Sequence, residues 1–169
     1  KKCPECNSSI IQEKNMAFAK CSGGIICPAQ KKGAIIHYVS KKAMDIPGIG
    51  DKLISRLVEE NIINNISDLY ILNKQKLKGF IMSSAVREDS GKKYDITLGD
   101  KSIDNILTAI ESRKEVKLSN FIFSLGINEV GVVTARNLAN KYSSISNLSN
   151  AEYNDIILIK DIGPVAALN

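Results

Sequence analysis

All four cysteines of this 169-residue chain fall within its first 27 positions: Cys3-Pro-Glu-Cys6, then Cys21, then Cys27-Pro28. Two thiol pairs brought together by a hairpin are what a tetrahedral Zn²⁺ ion requires, and the C-x2-C-x14-C-x5-C spacing supplies them. Four protein ligands leave no position for water, so the metal is expected to be structural rather than catalytic. Two disulfides, or a redox dithiol at Cys3 and Cys6, are the other readings, although nothing marks the chain as secreted. The intervening NSSIIQEKNMAFAK has too few apolar residues to build a core, so bound metal would supply its folding energy. Four thiolates and one Zn²⁺ would lower the formal charge from +5 to about +3.

A second chemistry lies in AMDIPGIGDKLISRLVEE, Ala43 to Glu60. Ile49, Leu53, Leu57 and Val58 recur at helical spacing, while Asp51, Lys52, Arg56 and Glu59 take the other face. Gly48 and Gly50 therefore form a tight turn feeding a helix N-terminus, whose first amides lack intrahelical partners and can hold an anion such as phosphate.

These turns need helices to position them, and the motif returns three times: at KGF (Gly79, Phe80) resuming at Gly99-Asp100-Lys101, at Gly131 in LGINEVGVVTARNLANKY, and at Gly163 in LIKDIGPVAALN. Gly50 and Gly99 are 49 residues apart, or 31 once the 18 residues Ile81 to Leu98 are set aside; the next two intervals are both 32. Four residues beyond each glycine stand Ile54, Ile103, Ala135 and Ala167, all apolar. Helical stretches such as ISDLYILNKQKL and LSNFIFSLG lie between the turns, with Ser67 and Ser149 expected as N-caps or first-turn residues. The expected fold is mainly α: a small four-cysteine zinc finger over residues 1–34, then a tandem helix-hairpin-helix bundle of four hairpins. The first pair occupies 35–118, with 81–98 an inserted solvated loop, and the second occupies 119–169, truncated at its C-terminal end. His37, the only histidine, is expected to be structural, within an extended run in AIIHYVSKKAM that leads into a helix.

Glycine-built hairpins let backbone N–H groups converge on one phosphate oxygen, and such contacts touch no base edge, so binding would be blind to sequence. Paired hairpins could grip the two strands across a groove. The competing reading is that these glycines only let helices turn tightly. Charge leaves both open: residues 1–45 carry eight lysines against three carboxylates, while the other 124 residues balance 15 basic with 15 acidic groups. That start fits either a solvated lysine-rich surface or a polyanion partner. No apolar run approaches the roughly 18 residues of a membrane span, and KKCPEC does not resemble a signal peptide, so a soluble, cytoplasmic protein is expected.

CPEC…C…CPAQ, followed by HYVSKKAMDIPGIGDKLISRLVEENIINNISDLYIL, KSIDNILTAIESRK and LGINEVGVVTARNLA, closely resembles the zinc finger and helix-hairpin-helix region of NAD-dependent, bacterial-type DNA ligases. The likeness covers nearly the whole chain, broken by Ile81 to Leu98. It implies a parent enzyme with an N-terminal adenylation domain bearing a K-x-D-G lysine, an OB domain, this region and a C-terminal BRCT domain. That enzyme seals nicks in replication and repair using NAD and Mg²⁺. Lys93-Tyr94-Asp95-Ile96 is the nearest approach to K-x-D-G here and ends in isoleucine, so the chain is expected to be inactive alone. It starts two residues before Cys3 and stops inside the last helix, as a fragment would.

The resemblance makes Cys3, Cys6, Cys21 and Cys27 the zinc ligands. It makes Gly48, Ile49 and Gly50, with Lys52 behind them, the first DNA-contacting turn. Gly79 and Phe80 joined to Gly99, Lys101 and Ser102 form the second, Gly131 and Val132 the third, and Gly163 the fourth. The implied partners are double-stranded, nicked DNA and the ligase's own adenylation, OB and BRCT domains, with the protein a nucleoid-associated monomer. Two departures stand out. Glu129 and Asp161 occupy the place of Gly48, where a carboxylate is unfavourable beside a phosphate. The insertion splits the second turn, so it either blocks that site or adds Arg87, Lys92 and Lys93 to it. The alternative functions are a structural scaffold for the catalytic domains, or a helix-hairpin-helix module of another repair protein.

Overall fold

A computed structural model describes residues 1–12 and 19–169. The middle of the apolar-poor finger segment, residues 13–18, lies outside the described residues.

The described residues form two compact units, one made of Lys1–Ile36 and Gly48–Thr108, the other of His37–Pro47 and Ala109–Asn169. In the first, a bridge between Lys2 and Ser9 and the two-residue strands β1 (Ile10–Ile11) and β2 (Lys20–Cys21) make a small antiparallel platform. Helix α1 (Pro28–Val39) starts directly on the fourth cysteine: the Cys27 carbonyl accepts from the Lys31 amide at 2.9 Å. Pro28 follows at the first helical position, where its missing N–H costs nothing. Here the expected extended run in AIIHYVSKKAM is corrected, because Ala34 to Val39 is helical. The β-branched cluster suggests a strand, but the buried positions Ile35, Tyr38 and Val39 follow i, i+3, i+4 spacing.

Helix α2 (Asp51–Glu59) buries Leu53, Ile54, Leu57 and Val58 and is tied to α1 by Lys32 and Glu59 at 2.8 Å. ISDLYILNKQKL is not one helix. It divides into a 3₁₀ turn over Ile66–Ile71 and the single-turn α3 (Lys74–Leu77) because Asn73 interrupts it and caps α3. Asn65 forms a capping box with Asp68, and the Asn73 side chain accepts from the Lys76 amide. Ser67 falls in the first turn behind Asn65. The insertion is not a loop but an antiparallel ribbon, β3 (Ile81–Val86) paired with β4 (Lys93–Thr97). Ser83 pairs with Ile96 and Ala85 with Tyr94, and the β-branched and aromatic residues Ile81, Val86, Tyr94 and Ile96 give it strand character that its polarity conceals. Helix α4 (Asp100–Ser112) follows and buries Ile103 and Ile106.

The second unit closes around Ile122, Val130, Ala135, Leu138 and Ile162. These come from α5 (Leu118–Ser124), α6 (Val132–Tyr142) and the turns that precede α6 and α9 (Pro164–Leu168); α7 (Ile145–Ser149) and α8 (Tyr153–Ile156) complete the unit. Ser144, not Ser149, caps α7: its hydroxyl accepts from the Asn147 amide, whereas Ser149 ends the helix and donates back to Ser146. His37 joins this unit, its Nε2–H donating to the Phe123 carbonyl at 2.7 Å with the two rings edge to face. Arg113 holds Asp45 at 2.7 Å, and Asn120 donates to the Ala43 carbonyl.

Candidate metal centre and phosphate-binding turns

The four cysteine sulfurs lie within 4.8 Å of one another. Cys3 and Cys27 are buried with sulfurs 4.0 Å apart; Cys6 and Cys21 are half-buried and 3.4 Å apart. A tetrahedral ion with Zn–S bonds near 2.3 Å spaces its sulfurs by about 3.8 Å, so this donor set fits zinc. The separations are those of free thiols, not of disulfides. The Ser8 hydroxyl and amide lower the Cys6 thiol to about 6. At Cys21 the Gly23 amide also lowers the thiol, but burial and the neighbouring thiols outweigh it and push the group up to about 12. Four thiolates held within 4.8 Å of one another repel unless a cation lies between them, which is what a metal supplies.

Gly23 is the residue that sequence reasoning missed. Its amide donates to the Cys21 sulfur at 3.2 Å, and a Cβ there would sit 3.0 Å from the Cys6 sulfur and the Ser8 hydroxyl. Only glycine leaves that space. The signal was available as the Gly23-Gly24 pair between the third and fourth cysteines.

The turns share one backbone design. Gly48, Gly79, Glu129 and Asp161 are left-handed, with φ of 85°, 73°, 63° and 64°. An apolar residue follows each: Ile49, Val130 and Ile162 are buried and Phe80 is half-buried. Then comes Gly50, Gly131 or Gly163, each capping its helix in an extended conformation with no side-chain cap, while Gly99 stands one residue before α4. The carbonyls of Gly50, Gly99, Gly131 and Gly163 accept from Ile54, Ile103, Ala135 and Ala167 at 3.0, 3.0, 2.9 and 3.0 Å. The repeat read from spacing is thus a repeat of hydrogen bonds. Within the second unit Val130 and Ile162 share one core cluster, so the third and fourth turns pack together through their middle residues.

The glycines play two distinct parts. Gly48 needs its left-handed φ, and a Cβ there would also meet Ile106 at 3.4 Å. The helix-capping glycines have ordinary backbone angles, are exposed, and face open space where a Cβ would be. What they leave room for lies outside the chain. Lys52, Lys101, Ser102 and Val132 are exposed in the first turns of their helices, and neither lysine has an ion-pair partner among the described residues.

Residues 2–29 match the NAD-dependent DNA ligase C4 zinc finger domain, and residues 120–169 match the helix-hairpin-helix motif. Both matches support the zinc-finger and helix-hairpin-helix region of an NAD-dependent DNA ligase. Over 165 residues, 98% of the chain, it is 40% identical to a DNA ligase of Cellvibrio japonicus and 42% identical to one of Marinobacter nauticus. A DNA ligase of Nitrosococcus oceani is 38% identical over 167 residues. The chain spans 22% of the length of these relatives.

The ribbon grows out of the second turn itself. The Leu98 amide donates to the Phe80 carbonyl at 2.9 Å, closing its base. Arg56 adds a clamp, its Nε and Nη2 donating to the Ile81 carbonyl at 3.3 Å while its guanidinium pairs with Glu59 and Glu60. At the far end Arg87 lies 5.6 Å from the centre of the Tyr94 ring. Among the described residues no helix is long and apolar enough to cross a membrane.

Proposed function

We propose that this region is the duplex-gripping part of an NAD-dependent DNA ligase. It holds double-stranded DNA through backbone phosphates, independently of base sequence, on either side of a nick. The observation that carries the reading is the exposed, uncapped start of α2, α6 and α9, each behind a glycine with nothing over it. Amides there are free to meet a phosphate oxygen at close range, and the helix dipole favours the negative charge. Contacts of this kind position a protein on the duplex without reading bases.

The assigned residues are Gly48, Ile49, Gly50 and Lys52 for the first turn, and Gly79, Phe80, Gly99, Lys101 and Ser102 for the second. Gly131 and Val132 serve the third, and Gly163 the fourth. Cys3, Cys6, Cys21 and Cys27 hold a structural zinc that organises residues 1–34, with hairpin pairs at 35–118 and 119–169. The parent enzyme would act in replication and repair in the cytoplasm at the nucleoid, as a monomer whose adenylation, OB and BRCT domains surround this region. NAD and Mg²⁺ would supply adenylyl transfer there, and no residue of this chain is assigned to that chemistry.

Titration of a labelled nicked duplex with the 169-residue chain tests the proposal. Lys52 and Lys101, each neutralising one phosphate, give a slope of log K against log salt of about −1.8, roughly a tenfold loss between about 50 and 200 mM salt. No binding even at the lower salt would overturn it and leave a scaffold for the catalytic domains.

A further inference from the structure

One concavity in the second unit is not accounted for by the turns. It encloses about 370 Å³ and is lined by Lys42, Lys117, Ser119, Asn120, Phe123, Val132 and Arg136. Three cations and no carboxylate line it, and none of the three has an ion-pair partner among the described residues. The neighbouring concavity of about 330 Å³, which shares Lys117 and Asn120, differs in this respect: there Arg113 is neutralised by Asp45 at 2.7 Å. Like charges gathered without a counterion repel one another, so their convergence calls for an anion. Ser119 adds a hydroxyl that can donate to it. Asn120 cannot turn away, since its amide is held by the Ala43 carbonyl at 2.9 Å.

The position suggests which anion. Val132 lines the concavity and is also the first residue of α6, directly behind the third turn. That turn carries Glu129, which opposes a phosphate, and three cations beside it reverse the local balance. We infer that Lys42, Lys117 and Arg136 form a second phosphodiester site, taking a backbone phosphate of the same duplex next to the one at Gly131. This rests on the duplex-gripping reading above.

The test is the double variant Lys117→Gln with Arg136→Gln, compared with Lys141→Gln, an exposed lysine at the other end of α6. Loss of one phosphate contact should reduce the salt slope by about 0.9 and weaken nicked-duplex binding about eightfold at about 0.1 M salt, while Lys141→Gln leaves both unchanged. Unchanged affinity and slope in the double variant, with wild-type binding intact, overturns this site alone. Absence of binding by the wild type overturns the reading beneath it. Inorganic phosphate separates the two sources of the anion. Saturable amide shifts at Ser119 and Asn120 below millimolar phosphate, with duplex affinity unaltered by the double variant, would make it a free-anion site and overturn the proposal. Unaltered circular dichroism of the variant confirms that folding is not the cause of any loss.

Discussion

At the residue scale, the two kinds of glycine respond differently to a methyl group. Gly131→Ala and Gly163→Ala add a Cβ into open space on an ordinary backbone, so urea unfolding should shift only by the cost of alanine at an N-cap, about 0.5–1 kcal/mol. Duplex binding should nonetheless weaken severalfold, because the methyl stands where the proposal puts a phosphate; unchanged binding would mean the turns only pack helices. Gly48→Val combines a left-handed φ with a contact on Ile106 and should cost more than about 1 kcal/mol. Glu129 and Asp161 invert the argument, since each is an L-residue held in the conformation Gly48 adopts freely. Glu129→Gly and Asp161→Gly should each stabilise the chain by about 0.5–1 kcal/mol in urea titrations and tighten duplex binding by removing a carboxylate.

At the element scale, the ribbon behaves as a graft on a complete motif. Joining Phe80 to Gly99 by deleting Ile81–Leu98 recreates a Gly79-Phe80-Gly99 turn with the spacing of Gly48-Ile49-Gly50. The shortened chain should fold with its helical circular dichroism intact and still bind duplex; loss of folding would make the ribbon part of the core. Elements were legible where apolar period and glycine punctuation agreed, as in α2, α5 and α6. The four cysteines and the four helix-starting glycines were legible from spacing alone. What escaped had local causes. The asparagine cap at Asn73 cut a run whose periodicity looked continuous, Ser144 took the cap expected of Ser149, and a helix rich in β-branched residues read as extended. The ribbon escaped because nearly all its side chains are exposed, leaving no buried face to impose alternation on the sequence.

At the scale of the whole molecule, metal and apolar core hold different parts of the chain. The cysteine platform has two strands of two residues and keeps Ile11, Ile25 and Ile26 exposed, so little apolar burial supports it. The second unit has its own core around Ile122 and Leu138, where truncation to alanine costs about 2–5 kcal/mol each. Chelation should therefore divide the chain. With zinc removed, or with the thiolates protonated on acidification, hydrogen exchange should accelerate across residues 1–27, while α6 keeps its protection. The sign follows from ligation: bound metal holds the thiolates ionised, so its stabilisation is present at neutral pH and lost as protons compete for sulfur. Cys21→Ser should reproduce the chelated pattern without a chelator. Uniform exchange of all helices after metal removal would instead mean that the finger is a keystone for the hairpins, and that the turns proposed to bind phosphate exist only in the zinc-loaded protein.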